Sequence, residues 1–155
     1  MLTASVIPGN PVRVACDLSS AQIAACTHAL VIHRAGRFRL AEMSVDDTLA
    51  LRDLTGLIDR FEILQSHGAH DTVQFTAGHL VQVSDVVRDF VVAQGEVDTV
   101  HPESRPHLAT AAGLVDPLAD LAAEALRVAM DGLPEVVIDD SDFDALLDDS
   151  RGRGA

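Results

Sequence analysis

The sequence lacks lysine, tyrosine and tryptophan, and it has a single asparagine, Asn10. All 11 basic side chains are therefore arginines. The simplest explanation of these absences is codon usage, because they are expected of a very GC-rich, bacterial genome. Selection against a modifiable amine is the alternative, since acetylation and protein conjugation target lysine and spare arginine.

Aromatic side chains are also scarce, since five phenylalanines are the only ones among 155 residues. Leu, Val and Ala supply most of the 48% hydrophobic content, which favours helices that pack through aliphatic side chains. The net charge of −13 repels phosphate backbones and anionic lipid headgroups. Neither nucleic acid nor a membrane is therefore expected as a direct ligand.

Only two cysteines occur, Cys16 and Cys26, and their spacing differs from the C-x-x-C pairs of zinc and redox sites. We expect both to be buried as small hydrophobes in a reducing environment. Residues 1–14 lack the segments of a signal peptide, and no run approaches the roughly 18 apolar residues of a membrane span. These features predict a cytoplasmic protein.

Three segments share one design, in which a short alternating strand precedes a Ser or Thr that caps an amphipathic helix. The predicted strands are residues 12–16, 38–43 and 72–75, and the predicted caps are Ser19 or Ser20, Ser44 and Thr76. Turns at Gly36 and Gly68 separate the units. Alternation leaves one strand face in water. The expected fold is thus α+β and mainly helical, with a small three-stranded sheet, amphipathic helices on one face, and an acidic C-terminal tail.

The second and third helices carry the longest aliphatic stripes. Apolar residues recur at three- and four-residue spacing at Leu51, Leu54, Leu57, Ile58, Phe61 and Leu64, and again at Leu80, Val83, Val86, Val87, Phe90 and Val91. Each stripe requires a buried face. Because the two stripes offer more apolar surface than one small sheet can cover, a homodimer that shares an isologous face is a further hypothesis.

Turn and composition signals divide the chain into five parts. These are an N-terminal extension at 1–9, a strand-helix core at 10–97, a linker or loop at 98–106, a helical element at 107–132, and the acidic amphipathic tail at 133–155. Within the helical element we expect a hairpin. A short helix at 109–115 precedes a second helix with Asp116 as its N-cap and Pro117 at its first position.

The tail alternates acidic and hydrophobic residues, and its seven carboxylates and two arginines give a charge of −5. This composition is typical of segments that fold on a partner. Phe143, Leu146 and Leu147 follow the i, i+3, i+4 spacing that presents anchors to a groove, and Asp142 and Asp144 flank the first anchor. These five residues are the predicted partner-binding site.

Two alternatives for the tail stay open. In the first, residues 136–138 form an edge strand and residues 143–147 dock on the chain's own core. In the second, the tail only increases solubility.

Motifs for catalysis or metal binding are few. His67, His70 and His79 could form a metal cluster, but the first two flank a glycine in a predicted turn, and no second ligand pair has a fixed spacing. Nucleophile-elbow, Walker and dinucleotide patterns are missing from the sequence. No catalytic residue, metal ligand or cofactor is predicted. His28 and His33 are expected to give at most a mild acid sensitivity.

The predicted function is a non-catalytic protein–protein interaction module, an adaptor, regulator or assembly factor. It would bind a protein partner through the acidic tail, a helical apolar face, or both. One alternative is a small enzyme whose site is formed by carboxylates or histidines that come together only in the folded chain. The other is an acidic mimic of nucleic acid that inhibits a DNA-binding protein, although the acids outside the tail are scattered and often accompanied by arginine.

Overall fold

A computed structural model describes residues 2–40, 44–67 and 71–132, without the side chains of residues 39, 40 and 71. The elements in these ranges are β1 (Thr3–Ile7), β2 (Arg13–Leu18), α1 (Ser20–Leu40), α2 (Val45–Ser66), β3 (Asp71–Thr76), α3 (Ala77–Gly95) and α4 (Arg105–Asp131). The predicted class, α+β and mainly helical with a small three-stranded sheet, is confirmed. The predicted acidic tail lies outside the described residues.

The sheet has the order β1-β2-β3, and both strand pairs are antiparallel. Val14, Cys16 and Leu18 of β2 are buried, whereas Arg13, the first residue of the strand, is exposed. Val73 and Phe75 of β3 are also buried. Because side chains alternate across a strand, this pattern gives one face against the helices and one face in water, as predicted.

One strand of the sheet differs from the prediction. Residues 38–40, expected to begin the second strand, are the last residues of α1. The strand that completes the sheet is β1, in the segment expected to be an N-terminal extension. Helix α1 also continues through Gly36, which was expected to end it. Glycine costs a helix about 1 kcal/mol, and the packing of α1 against α2, α3 and α4 offsets this.

The three predicted Ser and Thr caps are confirmed. Ser19 and Gln22 form a capping box, in which Ser19 N donates to Gln22 Oε1 at 2.9 Å and Gln22 N donates to Ser19 Oγ at 3.2 Å. Ser44 Oγ accepts a hydrogen bond from Asp47 N, and the hydroxyl of Thr76 accepts one from the third residue of α3. These bonds satisfy backbone N–H groups that have no partner within the helix.

Helix α4 is one continuous helix, so the expected hairpin with a break before Asp116 is wrong. Pro117 lies inside the helix, where it removes one backbone hydrogen bond. The apolar face continues on both sides of it. Its buried residues are Ala111, Leu114, Leu118, Ala122 and Ala125. Burial of this uninterrupted face outweighs the local cost of the proline.

The two predicted aliphatic stripes lie in the core of a single chain. Leu54, Leu57, Ile58 and Phe61 of α2 are buried, and so are the corresponding residues of α3 from Leu80 to Phe90. The ring of Phe61 packs 5.7 Å from that of Phe75, which joins α2 to the sheet. The surface excess that motivated the dimer hypothesis is therefore not observed in these stripes.

Candidate functional site

The two thiols are buried and unpaired, in agreement with the prediction. Cys16 lies on the inner face of β2, and Cys26 lies in α1. Burial raises the pKa of the Cys16 thiol to about 11 and that of the Cys26 thiol to about 12. Because the thiolate is the reactive form, neither residue is suited to nucleophilic or metal chemistry near neutral pH.

A polar contact joins two segments that are far apart in sequence. His28 Nε2 of α1 lies 2.9 Å from Ser104 Oγ, just before α4. The His28 ring stacks on His107 at a centroid distance of 4.7 Å and meets the edge of Phe90 at 5.6 Å. Ser104 stands at the N-cap position of α4, yet its side chain makes no cap bond. Its hydroxyl ties the α3–α4 connection to α1 instead.

This serine–histidine pair has the distance of a nucleophile and its base, but not the required access. Ser104 is 1% exposed, and a nucleophile must contact its substrate. The cavities beside α1 and β3 are lined by neither residue. Desolvation, followed by the proximity of His107, lowers the pKa of His28 and favours the neutral ring. We interpret the contact as a structural tie between helices.

A cavity of about 100 Å³ lies where α1, α2 and α3 meet. It brings charges of both signs together, and its lining residues are His33, Arg37, Asp47, Ala50, Leu51, Leu54 and Gln82. Desolvation and Arg37 lower the pKa of His33, whereas Asp89 opposes them. Sites for drug-sized ligands usually exceed about 300 Å³. The cavity therefore suits water or a small group rather than a substrate.

Helix α2 also has exposed apolar residues opposite the face that packs on the core, and the exposed charges of Arg52 and Asp59 lie among them. Val45, Leu49 and Ile63 are exposed by 76%, 52% and 59%, and Gly56 lies between them. Spacings of four and seven residues keep these positions on one side of the helix. We call Val45, Leu49, Gly56 and Ile63 the outer face of α2. A Cβ added at Gly56 would meet no atom within 4 Å, so this face is open at its centre.

The five predicted tail residues lie outside the described residues, namely Phe143, Leu146, Leu147, Asp142 and Asp144. Their role remains a prediction. His70 of the considered histidine cluster also lies outside, whereas His67 is exposed at the end of α2 and His79 is half-buried in α3. Among residues 2–40, 44–67 and 71–132, no three His, Cys, Asp or Glu side chains are placed to hold a metal ion.

The sequence did not predict the contact between His28 and Ser104 or the outer face of α2. Nothing in the spacing of His28 and Ser104 could have joined them. The outer face did leave a signal, because Val45, Leu49 and Ile63 are large apolar residues about half a turn away from the Leu54–Phe61 stripe. An amphipathic helix with a single buried face has polar residues there.

In the part of the chain that the structure describes, no helix has the length and apolarity needed to cross a membrane. No protein-family profile matches the sequence, and no curated protein or solved structure is significantly similar to it.

Proposed function

We propose that this protein is a non-catalytic interaction module, an adaptor, regulator or assembly factor, that binds a protein partner in the cytoplasm. The observation that carries the proposal is the outer face of α2, where three large apolar side chains are more than half exposed. Exposed apolar side chains concentrated on one side of a helix are candidates for contact with a protein partner, and here Arg52 and Asp59 add charges of both signs to the same surface. Two free, buried thiols agree with a reducing compartment.

The partner would present a helix or an apolar ridge to this face. Gly56 lacks a side chain at the centre of the face, so a partner backbone can approach closely there, with Val45 and Leu49 on one side and Ile63 on the other. The acidic tail would supply a second contact. Phe143, Leu146 and Leu147 would be its anchors, and the flanking Asp142 and Asp144 would steer it toward a basic rim.

Quantitative affinity capture from the native lysate tests both contacts in the full chain. We expect the unmodified protein to enrich a partner, and we expect V45S/L49S/I63S and F143A/L146A/L147A each to reduce that enrichment about tenfold or more. Burial of one such side chain contributes roughly 1.5–3 kcal/mol. The matched control is Val92→Ser, which replaces an equally exposed apolar residue on α3.

Gly56→Leu separates binding from stability. The added side chain enters open space and replaces glycine by a better helix former, so the free energy of unfolding should rise by up to about 1 kcal/mol. Partner capture should fall, because leucine blocks close approach. Undiminished capture by G56L and by both triple variants would reject the proposed function.

A further inference from the structure

The sheet has two outer strands, and they differ in what lies at their edges. The edge of β3 is partly occupied, because Arg60 Nη2 of α2 donates to the Gln74 carbonyl at 2.5 Å. In β1, Thr3, Ala4, Ser5 and Ile7 are all exposed, and among the described residues its backbone pairs only with β2. A strand edge of this kind presents unpaired N–H and C=O groups to any extended segment nearby.

Helix α4 brings the end of the described chain to this edge. His107 and Phe90 both contact His28, so the start of α4 lies beside the last turns of α3. The 27 residues of α4 exceed the 19 of α3, and the last turns of α4 therefore extend past the start of α3. Besides α1 and α3, the element against which α4 packs is β1. In these last turns, Val128 and Ala129 are partly buried against the hydrophobic core.

The same end of α4 has an uncovered apolar margin. Leu126 and Met130 are exposed by 45% and 70%, one and five positions after the fully buried Ala125. Ile7, at the end of β1, is also 42% exposed. Among the described residues, nothing pairs with the outer edge of β1. A segment that continues from the end of α4 to β1 would pair with that edge.

We propose that residues 136–138 of this chain, Val136, Val137 and Ile138, add to the free edge of β1 as a fourth strand. Three consecutive β-branched residues strongly favour the extended conformation. Residues 133–135 span up to about 10 Å when extended, which is enough for one short connection after α4. Pro134 follows the helix closely, at a position where proline commonly directs the chain away from a helix end.

The identity of the occupant follows from chain continuity. The segment is attached a few residues after α4, so its effective concentration at β1 is that of a short linker, in the millimolar range. Asp139 and Asp140 come directly after it and end the apolar run. The inference does not depend on the proposed partner, because the anchors at residues 143–147 lie beyond the added strand.

Amide hydrogen exchange of the full chain, followed by NMR, tests this assignment. We expect the amides of residues 136–138 and the outward-facing amides of β1 to exchange at least about tenfold more slowly in the unmodified protein than in Val137→Pro. Proline cannot donate to the new ladder. Ala145→Pro is the matched control, because it places the same substitution in the tail outside the strand and should leave both sets of amides protected.

Protection in β2 and β3 should be equal in all three proteins, which verifies that the domain remains folded. Cross-strand Hα–Hα contacts between β1 and residues 136–138 in the unmodified chain provide a second measurement without any substitution. Exchange of residues 136–138 at the rate of an unstructured peptide would overturn the inference. So would β1 protection that increases with protein concentration and survives V137P, because the edge would then belong to a second copy of the chain.

Discussion

The contact between His28 and Ser104 joins two segments that are distant in sequence, in a cluster with one aromatic and several polar side chains. The hydroxyl of Ser104 satisfies Nε2, while His107 and Phe90 cover the ring. Other titratable groups that face His28 are Glu103, which favours the charged ring, and His101, which opposes it. Desolvation and His107 outweigh Glu103, so the folded state favours the neutral imidazole.

Folding stability should therefore fall as the pH is lowered. Because the pKa of His28 is lower in the folded state than its ordinary value of 6.5, the unfolded chain binds this proton first. The stabilisation is complete above about pH 6.5 and is lost as the pH falls through and below that value. Urea unfolding at about pH 7.5 and about pH 5.5 measures the effect.

Replacement of His28 by glutamine should reduce this pH dependence, since the amide can still bond to Ser104 but cannot titrate. Part of the dependence should remain, because the pKa of His33 is lowered as well. His67→Gln, at an exposed position, is the control and should retain the full effect. An unchanged pH dependence in H28Q would exclude His28 as its source.

For these single residues, the sequence indicates which side chains are buried but not which ones contact each other. The burial of both thiols could be predicted because Cys16 lies at an inward position of an alternating strand, whereas Cys26 lies on the apolar stripe of the first helix, with Ile23 and Leu30. His28 and Ser104 are 76 positions apart, and only the path of the chain through α3 brings them together. Residues that meet through tertiary structure leave no periodic signal in the sequence.

The elements that could be predicted are those whose local chemistry agrees with their tertiary environment. Strands β2 and β3 alternate because one face is buried, and the Ser19, Ser44 and Thr76 caps act within three residues. Strand β1 has few bulky residues and is defined by pairing with β2, which is a non-local interaction. The alternation at residues 38–43 suggested a strand, but α1 continues through residue 40. Phe38 is 59% exposed and the described sheet is completed by β1, so residues 38–40 have no strand partner to favour the extended conformation.

In helix α4, the local preference of Pro117 opposes the helical conformation that tertiary packing imposes. The substitution Pro117→Ala measures the cost of this proline. Alanine restores one backbone hydrogen bond and relieves the clash with the preceding turn, so the free energy of unfolding should rise by about 1–3 kcal/mol. Pro106→Ala is the matched control. Pro106 lies in the first turn of α4, where the missing N–H would have no intrahelical partner, and its replacement should be nearly neutral.

Urea unfolding monitored by circular dichroism compares the two variants with the unmodified chain. Equal stability of P117A and P106A would mean that the packing around α4 is adapted to the bend that proline produces.

For the whole molecule, charge is the dominant feature. The net charge is −13, and the ion pairs among the described residues are exposed contacts within a helix, Arg88 with Asp85 and Asp89, and Arg127 with Glu124 and Asp131. Pairs of this kind contribute little to stability, because water and salt screen exposed charges. The carboxylates thus matter less for stability than for the long-range field, to which the tail adds −5.

That field leads to a kinetic prediction for the proposed partner complex. Long-range attraction accelerates encounter with a basic rim, whereas short-range apolar contacts determine how long the complex lasts. Raising the salt concentration from about 0.1 M to about 1 M shortens the Debye length from roughly 10 Å to roughly 3 Å. Surface plasmon resonance with the captured partner should show an association rate that falls about tenfold or more, and a dissociation rate that changes little.

Two tail variants distinguish the charges from the anchors. D142N/D144N should slow association at low salt and should weaken its salt dependence, because the steering charge nearest the anchors is reduced. F143A/L146A/L147A should retain the salt dependence and accelerate dissociation, because the apolar contacts are removed while the carboxylates remain. If salt changed only the dissociation rate, the acidic groups would act inside the interface, and the tail would bind through buried ion pairs rather than through steering.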